Sequence, residues 1–595
     1  MAPQWSTVLT KAAHKDSRQT SVRFEIRLTW GQVSPDGFTR NGILINGQFP
    51  GPELIVNQYD NVEFLVQNDL PNATTVHFHG IEQLNTPWSD GVPGVSQRLI
   101  EPGASFLYQW NANAYGTYWY HAHSRSQVSD GMYGAIIVNP ASTEPTAFKA
   151  ISSDATEIQA MRRAEDCPIP LVISDWNHFT SEEFDSIMIN ANVDDICFDS
   201  VLVNGKGSEI CLPQDEINSL TNPILLPLLN GESLTAKGCL PKTLNTLLGD
   251  FPHNFSKLPP TVFDVCIPSK GPTEVIDVDP ADGWISINII NAGTVSSLGV
   301  FIDEHPMWIY AADGKHIQPV LVDVVHVPNG NRFSALVKLD KPVGDYTIRV
   351  PNLGTNQVIS GFATLSYKGS THKIESKPYI NYAGQNVTKD VTFLDDTKIA
   401  PFPPVAPART ADATYFFHID RFGASWRWTL SGKESYGLDL ETEIPLLFDP
   451  KSAEALNPNL TITTKKGQWV DFIVQVESPP FQPPHPLHKH SNKAFIIGAG
   501  SGAFNWPTTT EAIKAAPHLF NLETPPLRDG FTTTPTSGTP TWIVIRYQVV
   551  NPGAFLFHCH IQTHLSPGGM AVAIIDGIDA LPSIPAEYLH GNGLR

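Results

Sequence analysis

The sequence predicts an all-β protein of three sandwich or barrel domains, and three observations carry that prediction. Fifty Pro and 43 Gly punctuate many short runs rich in Val, Ile, Thr and Phe, which is the texture of strands between turns. The runs gather into three blocks of comparable size, 22–142, 165–370 and 409–582. With 595 residues the chain is also too long for a single core.

In the first block the strands are RFEIRLTW, NVEFLVQN, TTVHFHGI, SFLYQWNA, GTYWYHAH and GAIIVNP. A Ser/Thr/Pro linker follows at 139–170, and helical periodicity is confined to short pieces such as Ala155–Glu165. PLVISDW opens the second block, which continues through WISINIINAG, HVPNGNRFSALVKL and YTIRVPN around a long polar insertion; five of the 6 Cys lie in or just ahead of this region. These five, Cys167, Cys197, Cys211, Cys239 and Cys266, predict one or two disulfides with one thiol left over. The Pro-rich spacer APFPPVAPA leads to the third block, with ATYFFHID, QWVDFIVQV, KAFIIGAG, TWIVIRYQVV, GAFLFHCH and MAVAIID. GAGSG at 498–502 has neither the Lys-Ser/Thr nor the helix of a phosphate loop, and reads as a turn ending its strand.

A net charge of -20, from 39 basic and 59 acidic residues, argues against a nucleic-acid partner. No apolar run has the length of a membrane helix. The first twenty residues lack the apolar core of a signal peptide, whereas sequons at Asn72, Asn254, Asn386 and Asn459 and the clustered cysteines suit a secreted glycoprotein. The two clues conflict, so the compartment stays open.

Ten of the 20 histidines fall into four groups: His77 and His79; His121 and His123; His485, His488 and His490; His558, His560 and His564. On a strand, the two imidazoles of an H-x-H pair project to one face, the geometry needed to grip one metal ion or two neighbouring ones. In FHCHIQTH the same alternation turns Cys559 away from His558 and His560, so one strand can serve two metal sites on opposite faces. A closed zinc site needs four ligands, and this chain offers about eleven. Two His and one Cys with a weak axial sulfur form the blue-copper set; His485, Cys559 and His564 fit it, with Met570 near the axial place. The remaining eight histidines suffice for three more ions. A nucleophilic Cys–His pair is the rival chemistry, but it would leave most of these histidines without a task.

On these motifs the chain resembles the multicopper oxidases, and among them the laccases. The resemblance covers nearly the whole chain and implies three cupredoxin-like Greek-key domains and four copper ions: one type 1, one type 2 and two type 3. It implies His485, Cys559 and His564 as type 1 ligands, with Met570 axial. His77 and His488 become type 2 ligands, and His79, His121, His123, His490, His558 and His560 hold the type 3 pair. Asp90 in WSDGVPG matches a carboxylate that assists proton delivery to reduced oxygen, and Asp199 matches the acid that receives the phenol proton. GIEQLNTPWSDGVPGVSQ, GTYWYHAHSRSQVSDGMYGAIIV and DSVLVNGKGS are similar to ascomycete conidial-pigment laccases and aromatic-polyketide oxidases. The expected partners are O2 and a small phenolic donor, for a monomer engaged in pigment or secondary metabolism.

The alternative is a ferroxidase acting on Fe(II), for which the acid pair Asp194 and Asp195 would supply hard ligands. Departures from the family pattern are Lys489 and Ser491 in HPLHKHSNK, Gln562 where some relatives carry an acid, Arg98 in place of a cysteine, and Gly569 at the usual axial position, one residue before Met570.

Overall fold

Three stretches of chain each fold into a pair of facing sheets, and each sheet contains one parallel strand pair. In the first stretch Thr20–Val33 runs parallel to Asn61–Asp69, and Leu54–Asn57 to Tyr133–Asn139. The second repeats this with Ile169–Trp176 beside Trp284–Asn291 and Glu274–Val278 beside Ser360–Tyr367. The third uses Ala413–Arg421 beside Trp469–Val476 and Thr461–Thr463 beside Ala571–Asp576. The other ladders are antiparallel except for isolated bridges, as expected of Greek-key sandwiches. In this computed structural model the described residues are 10–13 and 20–589, apart from 195–196, 245–248, 250, 389, 451–457, 479–481 and 537.

The chain divides into two compact units, one of Met1–Gly31, Asn41–Thr143 and Pro404–Arg595, the other of Gln32–Arg40 and Glu144–Pro403. The first unit thus holds two of the sandwiches, joined by apolar packing. Val62, Phe64 and Val66 alternate inward from their strand into a cluster that also contains Leu446, Leu447, Ala554, Leu556 and Tyr588. Backbone bonds from Leu446 to Gly94 and from Leu447 to Val95, at 3.1 and 2.9 Å, stitch the same seam. Histidines nearly five hundred residues apart in sequence are thereby brought face to face.

The third sandwich contains a buried ion pair, in which Arg546 Nε and Nη2 donate to the two carboxylate oxygens of Asp471 at 2.6 and 2.7 Å. Asp471→Ala would leave a guanidinium buried beside apolar neighbours. It is expected to cost about 3–5 kcal/mol, read as a lowered thermal midpoint of the copper-loaded protein.

Two local features differ from the sequence expectation, and the cysteines follow it. A second helix, Ser181–Ala191, is present; Thr180 and Glu183 form its capping box, and Phe184 and Met188 are its buried stripe. The GAGSG stretch does not end its strand early, because Ala494–Ser501 continues with a bulge between Ile496 and Gly498. Both disulfides form, Cys197–Cys239 and Cys211–Cys266, leaving Cys167 exposed and unpaired in a disulfide.

Candidate metal centre

Register places the histidines. Val76–His79 pairs with Gly116–Ala122 so that His77 lies opposite His121. In the third sandwich Pro486–Lys489 pairs with Gly553–Cys559, setting His488 opposite His558 and Leu487 opposite Cys559. Directly opposed residues share a face, so His488 and His558 look one way and Cys559 the other. Gly91, with φ +88°, allows the loop carrying Asp90 to press on the first histidine strand; a Cβ there would lie 2.0 Å from Val76 O and 2.8 Å from His77 Cα.

On one face eight imidazoles converge. His79, His121 and His560 form one triad, His123, His490 and His558 a second, and His77 and His488 close the space beside His79; within each group the ring nitrogens lie within 4.8 Å of one another. All eight residues are buried. Their outer nitrogens are anchored. His77 Nδ1–H donates to Asp90 O at 2.6 Å, His121 to Ala122 O at 2.8 Å, His488 to Asp529 O at 3.0 Å and His558 to Cys559 O at 2.8 Å. His490 Nδ1–H instead donates to Asp90 Oδ2 at 2.8 Å. Each such bond fixes the tautomer and leaves Nε2 with its lone pair aimed inward. His79 is turned the other way: its Nδ1 is 3.2 Å from His560 Nε2, while its Nε2 lies 3.5 Å from Asp529 Oδ1.

On the opposite face of the strand, Cys559 Sγ lies 3.9 Å from His485 Nδ1 and 3.8 Å from His564 Nδ1, all buried. His485 Nε2–H reaches Gln482 Oε1 at 3.2 Å, and Trp428 packs on both rings, with centroids 5.2 and 4.4 Å away. Met570 is fully buried. Its carbonyl accepts the Cys559 N–H at 3.0 Å and its own N–H donates to His564 O at 2.8 Å. The ladder that pairs His558 with Ala571 sets Met570 directly opposite Cys559, hence on the same face. Gly569 has a φ of +82°, and its carbonyl accepts the Tyr436 N–H at 2.8 Å.

The residues fit copper. The Nε2 atoms of His77, His121, His123 and His488 are buried without any hydrogen-bond partner, an arrangement that is costly unless a metal takes their lone pairs. Burial, reinforced by neighbouring imidazoles, holds His121, His123, His488, His490 and His560 far below the ordinary histidine pKa. Burial brings His558 down to about 4. These six rings are therefore neutral at pH 7, the form that ligates.

Other expectations meet the structure as follows. Asp90 is buried between His77 and His490. Asp199 lies in the second unit, buried, accepting from Lys237 Nζ and from the His178 N–H, both at 2.6 Å. Lys489 does not line the histidine face. Strand alternation turns it away, onto the Tyr547 ring at 4.2 Å and to 3.6 Å from Asp576. Gln562 Nε2 donates to Arg125 O at 2.9 Å. Asp194 is buried and Asp195 lies outside the described residues. The sequence pattern does not single out Asp529, Gln482 or Trp428, which surround the ligands from distant parts of the chain.

Fold and site together define a copper-dependent oxidoreductase of the cupredoxin class. Residues 27–143, 168–370 and 439–578 each match the multicopper oxidase family. The chain belongs to that family, whose members use one type 1, one type 2 and two type 3 coppers with O2 as oxidant. It is 43% identical to "Laccase abr2" of Aspergillus fumigatus, over 96% of this chain and 97% of that protein. It is 44% identical to "Multicopper oxidase elcG" of Phaeosphaeria nodorum, over 98% and 95%. Among solved structures it is similar to a laccase from Botrytis aclada (22% identity, TM-score 0.69, covering 95% of this chain and 89% of that one). It is also similar to Fet3p, described as a multicopper oxidase that functions in iron import (21% identity, TM-score 0.66, covering 96% and 94%). Among the described residues no helix is long and apolar enough to cross a membrane.

Proposed function

We propose that the chain is a monomeric laccase-type oxidase of phenolic or aromatic-polyketide donors, working in pigment or secondary-metabolite formation. The observation that carries the reading is the two-faced strand Gly553–Cys559, with a two-His, one-Cys site on one side and eight imidazoles on the other. His485, Cys559 and His564, together with Met570, would hold type 1 copper. His77 and His488 would hold type 2, and the triads His79/His121/His560 and His123/His490/His558 the type 3 pair. Bound copper supplies one-electron oxidation of the donor on the Cys559 face and four-electron reduction of O2 to water on the other. The chain itself contributes rigid neutral imidazoles, a dry site and a covalent path from Cys559 through its flanking peptides to His558 and His560. For the phenol proton we propose Asp199: its carboxylate is engaged by two donors, and a carboxylate accepts about four hydrogen bonds. The acid pair behind the ferroxidase alternative has one member, Asp194, buried, which speaks against capture of a hydrated iron ion.

Purified protein is expected to carry about four coppers, to be blue, and to oxidise a bulky dihydroxyaromatic faster than Fe(II), with one O2 consumed per four electrons. A copper content near one, or a preference for Fe(II), would overturn the reading.

A further inference from the structure

On the strand Ala413–Arg421 the residues Phe417, Ile419 and Arg421 alternate to one face. Phe417 and Ile419 are buried in the third sandwich, and Arg421 ends their apolar stripe with a permanent positive charge. Register decides what that charge meets. Arg421 is paired with Trp428 across the ladder to Trp428–Thr429, and directly opposed residues share a face. The guanidinium carbon accordingly sits over the Trp428 ring, 4.5 Å from its centroid, while Arg421 Nε–H donates to Ser425 O at 3.0 Å. Trp428 is fully buried. Its backbone N–H donates at 2.8 Å to Gly568 O, in the loop that follows His564, and its ring lies 4.4 Å from the His564 ring and 5.2 Å from that of His485. One aromatic ring thus separates a guanidinium from both imidazoles of the Cys559 face.

We propose that Arg421, acting through Trp428, is a positioning residue that raises the reduction potential of the copper held by His485, Cys559 and His564. The chain then oxidises donors that give up an electron less readily. The inference rests on the oxidase reading. Each donor oxidation delivers one electron to this face, and the charge held between the two imidazoles and the thiolate falls by one, from Cu(II) to Cu(I). A fixed cation nearby disfavours the more positive state and so favours uptake of the electron. The guanidinium carbon lies within about 9 Å of the His564 ring centre, where an effective dielectric of about 20 lets a unit charge shift the equilibrium about tenfold. The neighbouring acids are turned or engaged elsewhere. Asp420 alternates to the opposite face of the strand, and Glu477 accepts from His418 Nδ1–H at 2.6 Å and from Gln475 Nε2–H at 2.9 Å.

The competing role is a brace that holds the turn at 422–427 through Ser425. Arg421→Met separates the two, because it leaves an apolar stem on Trp428 and removes the charge, whereas Arg421→Lys keeps the charge and loses the planar fork. Redox titration of the blue band in the copper-loaded protein is expected to show R421M reduced about tenfold less readily, a downward shift of about 59 mV for one electron. Its copper content and thermal midpoint should match the wild type. Arg421→Gln, polar but uncharged, should fall with R421M, and R421K should keep the wild-type potential. If R421M or R421Q loses copper, the one that keeps it decides. A wild-type potential in the uncharged variants, an equal fall in R421K, or loss of copper or thermal stability in both R421M and R421Q would each overturn the proposal, the last because Arg421 would then act as a brace. A wild type without blue copper or O2 consumption would instead remove the oxidase reading, whereas a blue, O2-consuming wild type whose potential ignores the substitution removes only this inference.

Discussion

Cys559→Ser is expected to give a folded, colourless protein with about three coppers and no donor oxidation above background. The hydroxyl is a hard group of high pKa that does not replace thiolate on copper, so the ion between His485 and His564 is lost with it. Nothing on the other face of the strand changes. His558 and His560 keep their inward aim because His558 Nδ1–H is bonded to the Cys559 carbonyl at 2.8 Å, a backbone acceptor that the substitution preserves. Their triads still load. Ser also fits the space left by Cys without a clash, since it is the smaller side chain in a buried site. Turnover collapses because donor electrons enter on the Cys559 side. Copper analysis, absorption spectra and donor-dependent O2 uptake check the result together; a variant that stays blue, or keeps a substantial share of activity, would put the thiolate site elsewhere.

Much of this architecture is legible in the sequence because period-two alternation is a local signal. Asn61–Asp69 alternates buried and outward residues along its whole length, and the H-x-H pairs use the same period to aim ligands. The split of Cys559 from its flanking histidines follows from that rule alone. What the sequence hides is long-range or conformational. Nothing local says that Asp90 will bond His490, 400 residues on, or that Asp529 will take the Nδ1–H of His488 through its carbonyl. The flip of His79 to present Nδ1 is a rotamer choice imposed by Asp529 and His560. Which cysteines pair within the insertion depends on how that segment packs. The Ser181–Ala191 helix was visible in principle, since Thr180 and Glu183 spell a capping box, but its 11 residues carry a short apolar stripe that β-rich surroundings obscure.

The second large effect is expected at Asp90, where two substitutions should behave differently. Asp90→Ala removes the acceptor of His490 Nδ1–H and empties the space 3.5 Å from His77 Nδ1. Both rings then lose part of what orients them. Removing an outer partner of a metal-bound histidine typically lowers metal affinity or activity about 10–100-fold, so D90A should purify with fewer than four coppers while staying blue, because the Cys559 face is untouched. Asp90→Asn is nearly isosteric. Its amide oxygen can still accept from His490, and its backbone carbonyl still accepts from His77 as it does now at 2.6 Å. D90N should therefore retain about four coppers and bleach normally with donor in the absence of O2. If Asp90 also delivers protons, D90N should nonetheless reoxidise more slowly with O2 than the wild type, since an amide carries no exchangeable acid proton at neutral pH. Rapid-mixing spectra of the reduced protein with O2, set beside copper content, separate the two roles. Full copper and full reoxidation in D90N would reduce Asp90 to an orienting residue, and full copper in D90A would deny it even that.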